Sequence, residues 1–214
     1  MCNSVKKLIF WLMAALITNH IGTLSANEPT TQRLLVLGDS LSAAYGLDIQ
    51  DGWVVQLGKA LETRNIEVIN ASVSGETTSG GLSRLPRLLE RHQPQWVLIQ
   101  LGANDGLRGL PLPSIRQNLA QMIQIVEDYG AQAVLIGIKL PPNYGPMYAE
   151  PFAALYAELA SDYELPLVPF LLEGVADDPS KMQADGLHPT AEAQLTILEN
   201  VRAVLDPLLE SKAK

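Results

Sequence analysis

The stretch Arg33-Leu-Leu-Val-Leu-Gly38 is a short apolar run that ends at a glycine. A continuous apolar run of this length is typical of a strand that is buried on both faces of a parallel sheet. Four further runs share this character and predict the remaining strands: Ile66–Asn70, Trp96–Leu101, Ala133–Ile138 and the weaker Leu167–Val168.

Helical patterns separate these runs. Apolar residues three or four positions apart predict helices in four intervals: Trp53–Leu61, Leu82–Leu89, Ile115–Val126 and Ala153–Tyr163. A last helix is expected to begin near Pro189 and to stop at Asp206-Pro207, since proline suits a first turn and breaks a helix interior. The alternation predicts the α/β class, as a three-layer α/β/α sandwich around a flavodoxin-like parallel sheet of about five strands.

The N-terminal segment has the three parts of a secretory signal peptide. Lys6 and Lys7 precede the apolar run Leu8–Ile21, and small residues lead to Ala26. Cleavage after Ala26 is expected to leave residues 27–214 as one periplasmic or secreted domain. An uncleaved anchor is the alternative, but about 14 apolar residues are fewer than the roughly 20 that a membrane span needs.

Charge and cysteine content exclude several classes of function. Removing Lys6 and Lys7 from a chain of net charge −8 leaves −10, and an acidic protein does not attract nucleic-acid phosphates. The only cysteine, Cys2, lies in the signal segment, so the mature chain has no thiol or disulfide. With His92 and His188 as its only histidines, no metal site and no cofactor are expected. His92 ends a polar helix segment and is interpreted as a surface residue.

The sequence Gly38-Asp-Ser-Leu-Ser42 directly follows the first predicted strand. Glycine permits a tight turn that directs the Ser40 hydroxyl toward the strand end, where a neighbouring base would make it a nucleophile. Alternatively, Ser40 caps the next helix.

Two more polar segments follow the second and third strands. The loop 70–81 is rich in small residues, and its backbone N–H groups are candidates for an oxyanion hole, although it also suits a simple connector. Asn104, in Gly102-Ala-Asn-Asp-Gly106, can donate from its side-chain amide, or it can belong to an ordinary turn.

Asp185-Gly-Leu-His188-Pro189 precedes the last helix. The spacing of three brings the Asp185 carboxylate within reach of the His188 ring, as in a catalytic Asp–His pair, while a surface turn is the alternative. Because parallel strands present their carboxyl ends at one edge, the segments after the strands are expected to meet there. The chain lacks Gly-x-Ser-x-Gly, so it is not a usual nucleophile-elbow hydrolase.

These segments closely resemble the SGNH, or Gly-Asp-Ser-Leu, hydrolase family, and within it the bacterial multifunctional thioesterase I/lysophospholipase/arylesterase branch. The resemblance covers residues 38–189 and includes Leu101-Gly-Ala-Asn-Asp-Gly-Leu-Arg-Gly109. It implies that Ser40 is the nucleophile, His188 the base and Asp185 its partner. It also implies an oxyanion hole formed by the backbone N–H groups of Ser40 and Gly75 and the amide of Asn104.

The expected function is that of a secreted serine esterase acting on acyl thioesters, aryl esters and lysophospholipids, as a monomer without a membrane span in the mature chain. Leu107, Pro142 and Tyr144 follow strand ends and are candidate substrate contacts, although ordinary loop packing explains them equally well. Two alternatives remain. One is a carbohydrate acetylesterase on the same scaffold, and the other is a non-catalytic exported binding protein.

Overall fold

The computed structural model describes residues 31–211, which form a five-stranded parallel sheet. The strands lie in the order β2-β1-β3-β4-β5. Their bounds are Gln32–Gly38 (β1), Ile66–Asn70 (β2), Trp96–Gln100 (β3), Gln132–Ile136 (β4) and Leu167–Val168 (β5). All five strands were predicted from their apolar runs, and β1 pairs in parallel with both β2 and β3.

Burial follows strand position in the sheet. Every residue of β3, the central strand, is buried, and β1 is buried from Leu34 onward. β2 lies at an edge and exposes part of its length. The continuous apolar runs therefore marked the strands that helices cover on both faces.

Six α-helices belong to the described residues. Their bounds are Trp53–Leu61 (α1), Thr78–His92 (α2), Ala103–Leu107 (α3), Leu112–Asp128 (α4), Pro146–Asp162 (α5) and Gln194–Ser211 (α6). α1 packs against α6, while α4 packs against α2 and α5. Right-handed crossovers place these two groups on opposite faces, because the chain runs from β1 outward to β2 and then back across the sheet toward β5. The predicted three-layer α/β/α class is confirmed.

The predicted bounds of the last helix are wrong at both ends. α6 begins at Gln194, because the preceding residues pair backward: Thr190 N–H donates to the Lys181 carbonyl, 2.8 Å away. The helix also continues through Pro207 to Ser211. Leu205 and Leu209, on either side of that proline, are buried, and this packing holds the helix together across it.

α2 and α4 extend by two to four residues beyond each end of the predicted intervals, and α5 and α3 differ from expectation more strongly. α5 begins at Pro146, seven residues before the predicted Ala153 and with a proline in its first turn, and it runs through Pro151. α3 occupies the segment for which an Asn-Asp-Gly turn was the alternative.

No helix within residues 31–211 is long and apolar enough to cross a membrane. The predicted signal peptide, residues 1–26, lies outside the described residues.

Candidate active site

Ser40 lies in the tight turn that follows β1. The Asp39 carbonyl accepts hydrogen bonds from the N–H groups of Ser42 and Ala43, at 3.2 and 3.0 Å. A Cβ atom on Gly38 would lie only 2.8 Å from the Ser42 side chain, so this approach requires glycine. Ser40 does not cap a helix, since α1 begins at Trp53 after its N-cap, Gly52.

The structure brings Ser40, His188 and Asp185 into one hydrogen-bonded chain. Ser40 Oγ lies 2.9 Å from His188 Nε2, and His188 Nδ1 lies 2.7 Å from Asp185 Oδ2. An ionised carboxylate only accepts hydrogen bonds, so Nδ1 carries the ring proton of a neutral His188. Nε2 is then free to accept the Ser40 hydroxyl proton.

A small hairpin presents Asp185 and His188. Met182 and Pro189 form a β-bridge at its base, and Gln183 N–H donates to the His188 carbonyl at 2.7 Å. Gly186 turns the chain with φ of +66°, a conformation that favours glycine. The hairpin therefore fixes the spacing between the two side chains.

The two oxygens of Asp185 have separate partners. Oδ2 binds the His188 ring, while Oδ1 accepts the N–H groups of Leu187 and His188 at 2.9 and 3.0 Å. Desolvation raises the pKa of Asp185, but these hydrogen bonds outweigh it and lower the pKa to about 2. The carboxylate is therefore ionised throughout the range in which imidazole titrates.

Two of the three candidate oxyanion donors, Ser40 and Gly75, lie in loops, and the third, Asn104, lies in the first turn of α3. The backbone N–H groups of Ser40 and Gly75 have no acceptor within residues 31–211. Gly75 has φ of +80°, and the space beside it is open. The Asn104 amide donates to the Glu76 carbonyl at 2.9 Å and so reaches the residue next to Gly75.

The loop that contains Gly75 is braced from several elements. Arg108 donates to the Gly75 carbonyl at 3.2 Å, and Arg84 pairs with Glu76 at 2.7 Å. Buried Asp105 accepts the N–H and the hydroxyl of Thr78, at 2.8 and 2.6 Å. Charged and polar side chains of α2, of α3 and of Arg108 directly after α3 therefore set the position of this loop.

A buried network behind Ser40 was missed by the sequence reasoning. Asp39 Oδ1 accepts Leu41 N–H and the Gln100 amide, both at 3.0 Å, and Oδ2 lies 3.4 Å from Asn104 Nδ2. Gln100 in turn accepts the Ser42 hydroxyl at 2.6 Å. Burial raises the pKa of Asp39 to about 6, although the hydrogen bonds from Leu41 and Gln100 oppose the rise. The signal was present, because Asp39 belongs to the quoted Gly-Asp-Ser segment.

A cavity of about 530 Å³ opens beside Ser40, Asn104 and His188. Leu107 and Pro142 line it, whereas Tyr144 lies outside its wall and donates its hydroxyl to the Leu107 carbonyl at 2.9 Å. Sequence reasoning missed several apolar lining residues, among them Ile138, Leu140, Phe170, Leu172, Met182 and Leu187, and three charged ones, Lys139, Glu173 and Asp177. The first four follow β4 and β5, so the rule that ligands bind at strand ends would have found them.

No group of three or more metal-binding side chains is present within residues 31–211. His92 is the last residue of α2 and lies just before β3 begins, at the end of the sheet away from Ser40.

Comparisons with known proteins agree with this geometry. Residues 36–194 match the GDSL-like lipase/acylhydrolase family. The chain belongs to this family. The match spans every candidate catalytic residue from Ser40 to His188, and it confirms the predicted family and enzyme class, an ester hydrolase.

Relatives within the GDSL-like family are similar over most of their length. The esterase TesA of Pseudomonas aeruginosa is 50% identical over 87% of this chain and 94% of its own length. Thioesterase 1/protease 1/lysophospholipase L1 of Escherichia coli is 45% identical over 82% of this chain and 84% of its own. The structure is similar to a crystal structure of the psychrotrophic esterase EstA from Pseudoalteromonas in which the enzyme is inhibited by monoethylphosphonate. That structure has a TM-score of 0.79 and 40% identity, and the match covers 84% of this chain and 99% of EstA.

Proposed function

We propose that this chain hydrolyses carboxylic esters and thioesters through an acyl-enzyme intermediate on Ser40, with His188 as general base and Asp185 as its partner. The continuous chain of contacts from Ser40 Oγ to His188 and on to Asp185, at 2.9 and 2.7 Å, carries this proposal. Both distances lie within the range through which a base activates a serine. A non-catalytic binding protein would have no need of this alignment.

In the first half of the reaction, His188 Nε2 takes the Ser40 proton as Ser40 Oγ attacks the carbonyl carbon. The leaving alcohol or thiol then receives that proton from His188. In the second half, His188 takes a proton from water, the hydroxide attacks the acyl carbon, and the acid is released as Ser40 regains its proton. Asp185 stays ionised and stabilises the imidazolium at both steps.

The oxyanion of each tetrahedral intermediate would be bound by the N–H groups of Ser40 and Gly75 and by the Asn104 amide. The absence of other acceptors for the two backbone N–H groups within residues 31–211 supports this assignment. Asn104 donates to Asp39 only at 3.4 Å, longer than a normal hydrogen bond, so this is the contact that an oxyanion would replace.

The apolar part of the cavity wall supports an acyl chain as the group bound beside Ser40. Leu140, Phe170, Leu172 and Met182 lie on its wall, and apolar walls recover free energy by removing acyl methylene groups from water. We therefore assign fatty acyl esters and thioesters, aryl esters and lysophospholipids as substrates, with Leu107 and Pro142 as contacts. Tyr144 would act by supporting Leu107. Lys139, Glu173 and Asp177 also line the cavity and are polar groups that a carbohydrate acetylesterase would use, so a test across acyl chain lengths separates the two functions.

Export and a monomeric state complete the proposal. The signal-peptide pattern of residues 1–26 supports a periplasmic or secreted enzyme, for which lysophospholipids or external esters are more accessible than cytosolic acyl carriers. A single chain contains every group that the mechanism uses, so a monomer is sufficient.

The test compares residues 27–214 with the Ser40→Ala variant on para-nitrophenyl esters from acetyl to palmitoyl, and on lysophosphatidylcholine. We expect turnover of medium and long acyl groups that is lost in the variant. Turnover confined to acetyl would favour the carbohydrate esterase. Turnover that survives Ser40→Ala in the folded protein would refute the mechanism. In parallel, a fluorophosphonate should label the parent protein but not the variant.

A further inference from the structure

Tyr45 lies against the ring of His188 and outside the catalytic chain of hydrogen bonds. The two ring centroids are 4.4 Å apart, and the ring planes are inclined by 36°. Tyr45 is half exposed, and it does not line the cavity that Ser40 and His188 line. Its ring therefore contacts the histidine and not the volume assigned to the acyl group.

His188 needs a support that its hydrogen bonds do not supply. Asp185 and Ser40 fix the positions of Nδ1 and Nε2, but two contacts at the ring edge leave the faces of the imidazole unsupported. The hairpin that bears His188 is exposed at Asp185, Gly186 and Leu187, so packing from its own residues is sparse. Tyr45 provides contact on a ring face.

The backbone of Tyr45 is tied to both catalytic loops. Its N–H donates to the Ser40 carbonyl at 3.2 Å. The Gln183 amide donates to the Tyr45 carbonyl and to the Pro189 carbonyl, each at 2.9 Å, and so joins the serine turn to the histidine hairpin. Gln183 Oε1 would lie 2.4 Å from a Cβ atom on Gly46, which has φ of +74°, so glycine leaves room for this brace.

We propose that Tyr45 is a positioning residue that holds the His188 imidazole in line between Asp185 and Ser40, and that Gln183 fixes Tyr45 in place. This inference rests on the proposed role of His188 as base. A tyrosine face also carries partial negative charge, which favours an imidazolium over a neutral ring. Tyr45 would therefore act most strongly in the transition state, when His188 carries the Ser40 proton.

The Tyr45 hydroxyl makes no hydrogen bond within residues 31–211, so the ring and not the hydroxyl is the active part. We expect Tyr45→Ala to lower kcat roughly tenfold with little change in KM, since misplacement of a catalytic group slows chemistry and not binding. Tyr45→Phe should retain nearly full activity. Tyr129→Ala, which removes a similarly exposed tyrosine at the far end of α4, is the matched control and should leave activity unchanged.

A double-mutant cycle with His188→Ala decides whether Tyr45 acts through the histidine. In the His188→Ala background, Tyr45→Ala should cause no further loss of the residual para-nitrophenyl acetate turnover. An equal tenfold loss in both backgrounds would overturn the inference. So would a rise in KM, or a different loss for acetyl and octanoyl esters, because either would indicate direct substrate contact.

Folding and the parent mechanism are controlled separately. Thermal melting is recorded for each variant, and if Tyr45→Ala is unfolded, Tyr45→Leu takes its place because it keeps apolar bulk without an aromatic face. Gln183→Ala should reproduce the fall in kcat. Full activity in that variant would show that Gln183 does not hold Tyr45 in place. Ser40→Ala tests the proposed function, so activity that survives there is distinguishable from a failure of the Tyr45 inference.

Discussion

Two carboxylates influence the groups around Ser40, one from the exposed hairpin of Asp185 and the other from the buried network of Asp39. Asp185 accepts three hydrogen bonds at the surface, and its pKa is lowered to about 2. Asp39 also accepts several hydrogen bonds, yet burial raises its pKa to about 6. Similar hydrogen bonding thus gives opposite shifts in pKa, because desolvation of the charged form exceeds the summed effect of the hydrogen bonds only at the fully buried Asp39.

The two carboxylates therefore suit different roles. An exposed, always ionised Asp185 can stabilise an imidazolium at any pH where the enzyme works. Asp39 instead reaches Asn104, Gln100 and Leu41, and so it holds the groups behind the nucleophile.

Asp185→Asn should give the largest loss, on the order of 10³- to 10⁴-fold in kcat. The asparagine oxygen can still accept the Leu187 and His188 N–H groups, and its NH₂ group would then face His188 Nδ1. The ring would change tautomer and protonate Nε2, which then cannot accept the Ser40 proton. Steady-state kinetics measure the effect, and Asp128→Asn at the end of α4 serves as a charge-matched control. A loss of less than tenfold would show that Asp185 is not the catalytic partner of His188.

Asn104→Ala tests the point where the buried network meets the reacting atoms. Removal of one oxyanion donor should lower kcat by roughly 100- to 1000-fold. KM should change little, because the donor is needed more in the transition state than in the bound substrate. A variant with near-normal turnover and a normal melting temperature would contradict the assignment.

Asp39→Asn should change how stability depends on pH. Native Asp39 keeps its proton up to about pH 6, whereas the unfolded chain loses it near the ordinary value of 3.8. The native state therefore binds more protons between these values, and Asp39 makes the protein less stable as pH rises through this window. The shift corresponds to about 3 kcal/mol in the free energy of unfolding.

The measurement is urea unfolding of both proteins at pH 4, 5, 6 and 7. Comparison of the two cancels the opposite contribution of Asp185 and the other carboxylates. The free energy of unfolding of Asp39→Asn, relative to the parent, should rise by about 2 kcal/mol from pH 4 to pH 7, since the rest of the change lies below pH 4. A constant difference would show that Asp39 does not titrate in this window.

Gly186→Ala should have the smallest effect. A Cβ atom at Gly186 meets no other atom within 4 Å, so only the φ of +66° opposes the change. Left-handed alanine should destabilise the hairpin by about 1 kcal/mol. We expect a small fall in melting temperature and a severalfold loss of kcat as Asp185 and His188 lose their spacing. A severe loss of activity with unchanged stability would indicate that Gly186 serves the reaction in another way.

Much of the site was predictable because its residues follow strand ends. Ser40, the Gly75 loop and Asn104 follow β1, β2 and β3, and a parallel sheet must bring those ends to one edge. The pairing of Asp185 with His188 was predictable from their spacing of three residues alone. The start of α6 was not predictable in this way, since the bridge between Met182 and Pro189 is a pairing that helical periodicity does not reveal.

Apolar runs such as Arg33–Gly38 were enough to predict the strands of the sheet, and the chemistry and order of the polar segments were enough to name the candidate catalytic groups. The environment of those groups depends on the tertiary structure. The burial of Asp39, the contact of Tyr45 with His188 and the apolar wall beside Ser40 all join residues that are far apart along the chain. Periodicity and local motifs report neighbours along the chain, whereas desolvation and ring contacts depend on which distant segments the fold packs together.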